Sequence, residues 1–96
     1  MITIDFETRS YADLKKSGTW AYSEHETTDV ICFCYAIGDN AVQEWWPGKN
    51  KTDNIPDDLW EALEAGDTIE AHHAAFEIAI WINIMSKKYD WPKLLY

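Results

Sequence analysis

The stretch Val30–Ile37 limits the folds open to this chain more than any other segment. It reads VICFCYAI and is the longest apolar run in the sequence. A run this short cannot cross a bilayer, and its β-branched and aromatic residues favour a strand. Because apolar and polar residues do not alternate in it, we predict a central strand buried on both faces.

The composition predicts one small folded domain that spans residues 1–96. The chain is 47% hydrophobic and 15% aromatic, and its formal net charge is −9. That charge argues against a nucleic-acid coat with a basic face, but it suits an acidic site that cations neutralise. Cys32 and Cys34 are too few for a disulfide framework and indicate a reduced, cytoplasmic protein. Met1 is followed at once by acids in a strand pattern, so we expect no secretory leader and no membrane partner.

Turn and capping signals divide the rest of the chain into strands and helices. Ser10 is predicted to cap the first helix. The polar segment 19–29 is predicted to be irregular. The predicted strands are 2–6, 30–37, 41–46 and 68–71. The predicted helices are 10–17, one from Pro56 to Gly66, and 74–87. This order predicts an α/β fold with a mixed sheet and packing helices.

The first strand carries two acids on one face. Alternation turns Ile2, Ile4 and Phe6 one way and places Asp5 and Glu7 together on the other face. Two residues along a strand span about 6.5 Å. Carboxylates at that separation can bracket two cations about 3.5–4 Å apart. The alternative is an edge strand with a solvated, charged face, which is the commoner explanation for an isolated D-x-E.

The segment 71–77, AHHAAFE, adds a third acid. Glu77 lies within an apolar helix pattern, where an ionised carboxylate is costly unless it is paired or bound to a metal. His73 precedes it by about one helical turn. The alternative is that Glu77 lies on a narrow solvent-facing stripe with Asn83.

DFETRS and AHHAAFE together resemble the first two exonuclease motifs of the DEDD superfamily of 3′–5′ exonucleases. The likeness is greatest to the proofreading domain of phage-type family-A DNA polymerases. DLKKSG, FEIAIW and KKYDWP extend the likeness along the chain. The resemblance implies a ribonuclease-H-like fold and a location in the phage or bacterial host cytosol.

The resemblance also implies roles for individual residues. Asp5, Glu7 and Glu77 would be the catalytic acids and would bind two divalent cations, Mg or Mn. The family usually has Asp where this chain has Glu77, so the longer side chain needs an adjusted helix position or a bridging water. The cations would hold the scissile phosphate for in-line attack by water.

The substrate implied by the resemblance is a single-stranded DNA 3′ end. The residues expected to contact it are Phe6, Thr8, His73 and Phe76. Phe76 matches the aromatic residue that packs near the terminal nucleotide. His73 stands where the family usually has Asn, which changes the polar contact expected from that position.

The family's third motif, Tyr or His followed four residues later by Asp, is absent after Glu77. We therefore expect a single partial exonuclease domain, truncated after the second exonuclease motif and weak or inactive on its own. Its expected partner is a missing C-terminal polymerase portion or a second copy in a homo-oligomer. The alternative function is a non-catalytic, exonuclease-like acidic module for interaction or assembly.

Two features of the segment after the first motif have alternative explanations. Trp20 and Tyr22 suit stacking on bases, and they equally suit packing in the core or in a lid. Lys15 and Lys16 suit phosphate contacts, although solvated lysines on a short helix are commoner. The sequence leaves both alternatives open.

Overall fold

The computed structural model describes residues 1–94. The strands are β1 (Ile2–Arg9), β2 (Asp29–Ile37), β3 (Gln43–Trp45) and β4 (Ile69–Glu70). The helices are α1 (Leu14–Ser17), α2 (Thr19–Glu24), α3 (Asp57–Glu64), α4 (Ala74–Ile80) and α5 (Ser86–Lys88), with a π-helical turn at Trp81–Met85. None of the helices among these residues is long and apolar enough to cross a membrane.

The four strands form one mixed sheet in the order β3-β2-β1-β4. β2 runs antiparallel to both β1 and β3, whereas β4 runs parallel to β1. The long β1–β2 ladder pairs Phe6 with Phe33 and Glu7 with Cys32. This sheet with its packed helices confirms the α/β class predicted from the sequence.

The core lies between one face of the sheet and the helices. Ile2, Ile4 and Phe6 are buried, as their alternation in β1 predicts. The indole of Trp81 meets the rings of Phe6 and Phe33 edge-on, with ring centroids 6.4 and 6.0 Å away. These contacts fix the helical segment that follows β4 against β1 and β2.

The prediction that β2 is buried on both faces is wrong at Ile31. The pairing with β1 shifts between Glu7 and Thr8. Glu7 pairs with Cys32 and Thr8 pairs with Val30, so that Ile31 has no partner in β1. Ile31 is 43% exposed. The cause is this β-bulge, which adds one residue to the bulged strand and disturbs its alternation.

The segment predicted to be irregular contains helix α2, so that prediction is wrong. Tyr22 and Ser23 are buried, and the side-chain amide of Asn83 donates a 2.8 Å hydrogen bond to the Ser23 hydroxyl. A helix this short is stable only through such tertiary contacts, which a local pattern does not reveal. Gly18, with φ 81°, makes the turn between α1 and α2.

One helix boundary and the interior of another helix also differ from the sequence prediction. Asp13, and not Ser10, caps α1, because its carboxylate accepts the backbone N–H of Lys15 at 3.0 Å. The predicted helix 74–87 is confirmed as helical, but a π-helical turn interrupts it. There the N–H of Ser86 reaches the carbonyl of Trp81.

Candidate carboxylate site

The carboxylate of Glu77 occupies the edge of β1 beyond the end of β4. β4 pairs only with Ile2 and Thr3. On the same side of β1, the N–H of Phe6 donates to Glu77 Oε2 at 2.9 Å. The side chain therefore takes the place of a neighbouring strand, and it accepts a hydrogen bond from a backbone N–H that would otherwise have no acceptor.

Glu77 is only 4% exposed, so the alternative that it lies on a solvent-facing stripe is wrong. Burial raises the pKa of Glu77 to about 7, and the hydrogen bond from Phe6 opposes the rise. The negative charges of Asp5 and Glu7, and a hydrogen bond to Asp5, raise it further. The three acids predicted from the sequence thus interact electrostatically.

Asp5 and Glu7 lie side by side on the exposed face of β1. Their cross-strand partners are Cys34 and Cys32. Across residues 1–94, no three His, Cys, Asp or Glu side chains are already gathered in a metal-binding arrangement. In the cluster, Asp5 and Glu7 lie close enough to Glu77 for their charges to raise its pKa.

Three of the residues expected to contact substrate are sequence neighbours of the acids, and the structure packs each of them against another aromatic residue or hydroxyl group. The Phe6 ring is buried against Phe33, with centroids 4.6 Å apart, so only its backbone N–H reaches Glu77. The Thr8 hydroxyl lies 3.0 Å from the hydroxyl of Tyr22. The ring of Phe76 packs 6.0 Å from the Tyr22 ring.

A shallow groove of about 490 Å³ begins beside Phe76. His73 and Phe76 form one wall at the start of α4, and Leu14 and Thr19 from the α1–α2 segment form the other. His73 is exposed, and its ring lies edge-on to that of His72 at 4.6 Å. The groove therefore brings two of the predicted substrate-contacting residues together.

Sequence reasoning missed the part played by Tyr22. This residue connects Thr8 in β1 with Phe76 in α4, and it is 8% exposed. The available signal was the pair of aromatic residues at 20 and 22, for which core packing was one of the two alternatives. Its position shows that packing is the correct alternative for Tyr22.

A second cavity, of about 620 Å³, lies between α3, β4 and α4. Its lining is mostly apolar and includes Ile4, Leu63, Ile69 and Ile78. Glu77 also lines it. The carboxylate of Glu77 thus lies in a largely apolar setting, which explains why burial dominates its pKa.

The site and fold together define a small α/β domain with an acidic cluster at the edge of its first strand. The chain is similar to a DNA polymerase of Bacillus phage SP02, with 33% identity over 94 residues. The aligned part is 94% of this chain and 14% of the relative, so the chain spans a small fraction of that protein's length. No family model and no solved structure matches the chain. The similarity supports a relationship to DNA polymerases.

Proposed function

We propose that this chain is the N-terminal portion of a two-metal 3′–5′ exonuclease domain of a DNA polymerase. In this proposal it has a ribonuclease-H-like fold and hydrolyses phosphodiester bonds at DNA 3′ ends. The observation that carries the proposal is the 2.9 Å hydrogen bond from Phe6 to Glu77, between residues 71 positions apart. That contact brings the acid of the second motif to the acids of the first. The similarity to a phage DNA polymerase supports it.

The donor atoms at the cluster fit hard divalent cations. Asp5, Glu7 and Glu77 supply only carboxylate oxygens, which suit Mg²⁺ or Mn²⁺. Asp5 and Glu7 are exposed, so their side chains are free to reorient toward a cation without unpacking the core. Glu77 Oε2 accepts the N–H of Phe6, which holds the carboxylate at the strand edge near Asp5.

The protein's own contribution to hydrolysis is positioning. Two bound cations would supply the positive charge that activates a water and stabilises the leaving oxygen. The N–H of Phe6 holds Glu77 at the strand edge, and Asp5 and Glu7 project from the same strand. Thr8 and Phe76, linked through Tyr22, form the adjoining surface on which the terminal nucleotide would rest.

Cleavage of single-stranded DNA labelled at its 5′ end tests the proposed activity. The purified chain is incubated with the DNA in Mn²⁺, beside an Asp5→Asn variant and an Asp39→Asn control. Asp39 lies exposed in the turn after β2, so the control makes the same charge change away from the cluster. Because the third motif is absent, we expect only weak shortening from the 3′ end, by the parent and the control but not by Asp5→Asn.

Equal shortening by the Asp5→Asn variant would contradict the proposal, because the activity would then come from elsewhere. No shortening by any of the three proteins would mean that this chain does not itself hydrolyse DNA. The chain would then be either a fragment that needs a further portion of the polymerase or the non-catalytic, exonuclease-like module.

A further inference from the structure

We infer that the α1–α2 segment binds the unpaired strand on the 5′ side of the terminal nucleotide. The binding surface, which we call the α1–α2 wall, consists of Leu14, Lys15, Lys16, Thr19 and Trp20. In this inference the two lysines contact phosphates and the Trp20 indole stacks on a base. The inference rests on the proposed function, since the strand in the groove would end at the carboxylate cluster.

The first observation is a pair of neighbouring lysines, in a strongly acidic chain, that form no ion pair among the described residues. The chain has 8 basic residues against 17 acidic ones, yet Lys15 and Lys16 are adjacent and exposed. The ion pairs found within residues 1–94 are those of the N-terminus with Asp67 and of Lys88 with Asp29. Lys15 and Lys16 are therefore available to phosphate groups.

The second observation is an exposed indole on a firmly held helix. Trp20 is 50% exposed, although α2 buries Tyr22 and Ser23 on its other side. The hydrogen bond that Tyr22 shares with Thr8, and the one that Ser23 accepts from Asn83, fix the helix in place. A large aromatic side chain that is exposed on a fixed helix is suited to stacking on a base, which requires no particular base identity.

The third observation is that two residues of the wall face the start of α4, the helix that carries Glu77. Leu14 and Thr19 line the groove opposite His73 and Phe76. Phe76 immediately precedes Glu77 in α4. A strand bound along the wall would therefore pass beside Phe76, the residue next to Glu77 in α4.

Binding of a fluorescein-labelled oligothymidine without divalent cations tests this inference separately from catalysis. The full chain is titrated into the DNA, and fluorescence anisotropy gives the Kd. The variants are a Lys15→Ala/Lys16→Ala double mutant and Trp20→Ala. The matched controls are Lys49→Ala/Lys51→Ala, in an exposed loop, and Trp60→Ala, where the indole is 40% exposed. Thermal melting checks that each variant folds.

We expect the double lysine variant to weaken binding by about tenfold and to reduce the slope of log Kd against log salt by about 1.4. We expect Trp20→Ala to weaken binding by about fivefold and Trp20→Phe to restore most of it, because a phenyl ring still stacks. The controls should stay within about twofold of the parent.

Binding that is unchanged in both wall variants, or that falls equally in the controls, would overturn the inference. Absence of any binding by the folded parent would overturn it as well. These outcomes leave the proposed function to its own test, the Asp5-dependent cleavage in Mn²⁺. Conversely, wall-dependent DNA binding without Asp5-dependent cleavage would support the wall and contradict the proposed hydrolysis.

Discussion

The carboxylate of Glu77 accepts the backbone N–H of Phe6 at 2.9 Å, as the carbonyl of a neighbouring strand would. This hydrogen bond joins the first strand to the helix that follows β4. It also holds a buried carboxylate next to Asp5. The stability of the fold and the charge of the cluster are therefore coupled through one side chain.

Ionisation of Glu77 should lower stability as the pH rises. Its pKa is raised from 4.5 to about 7 in the folded chain. Its stabilising contribution is thus fully present below pH 4.5 and is lost as the pH rises through 7. The loss between these limits is about 3 kcal/mol. Urea unfolding of the parent and of Glu77→Gln, without divalent cations, measures it.

The Glu77→Gln variant is the control because it keeps a carbonyl oxygen for Phe6 and does not titrate. We expect the free energy of unfolding of the parent to fall relative to the variant between pH 5 and pH 8. A constant or growing advantage of the parent over that range would contradict the predicted pKa.

The hydrogen bond between Tyr22 and Thr8 should stabilise the connection between α2 and β1. Tyr22→Phe removes one hydroxyl of a 3.0 Å pair and leaves the ring packed on Phe76. We expect a loss of about 1 kcal/mol in the free energy of unfolding. Thr8→Val removes the other hydroxyl, so the double variant should lose little more than either single one. Fully additive losses would show that the two hydroxyls do not interact.

Lys88 should hold Asp29 in its ionised form. Burial, the largest single cause, would raise the pKa of Asp29, but the hydrogen bond and charge of Lys88, together with hydrogen bonds from Val30 and Tyr89, bring that pKa below 3.8. The carboxylate therefore stabilises the fold above pH 3.8, and this contribution is lost as the pH falls through the lowered pKa. We expect Lys88→Met to raise the pKa of Asp29 in an NMR titration. An unchanged titration would assign the lowering to Val30 and Tyr89, which also donate to Asp29.

The two thiols should react slowly with alkylating agents in the folded chain. Burial raises the pKa of both Cys32 and Cys34, and nearby carboxylates, including Glu7 and Glu44, add to the effect. The reactive thiolate is therefore scarce near pH 8. We expect iodoacetamide to label the chain much faster in urea than in buffer. Equal rates would contradict the packing of the β2 face.

Much of the sheet follows from local pattern. The alternation in β1 predicts which side chains are buried, and the apolar run predicts β2. The local pattern does not predict that Ile31 is exposed, because a bulge in the pairing with β1 determines that exposure. It fails for α2 as well, because contacts with Thr8 and Asn83 stabilise that helix.

The candidate site can be predicted only in part from the sequence, because it too depends on contacts between distant residues. Alternation places Asp5 and Glu7 on one face, and the structure agrees. The burial of Glu77 depends on a hydrogen bond to Phe6, 71 residues away, which no local pattern contains. The roles of the acids in binding cations remain a prediction.

Binding of Mn²⁺, followed by electron paramagnetic resonance, tests the central claim most directly. We predict that the parent and the Asp39→Asn control bind Mn²⁺ with equal affinity. Asp5→Asn and Glu77→Gln should each weaken binding by more than the roughly tenfold cost of losing an outer-shell partner. Binding that is unchanged in Asp5→Asn, or absent from the folded parent, would contradict the claim that these carboxylates form a cation site.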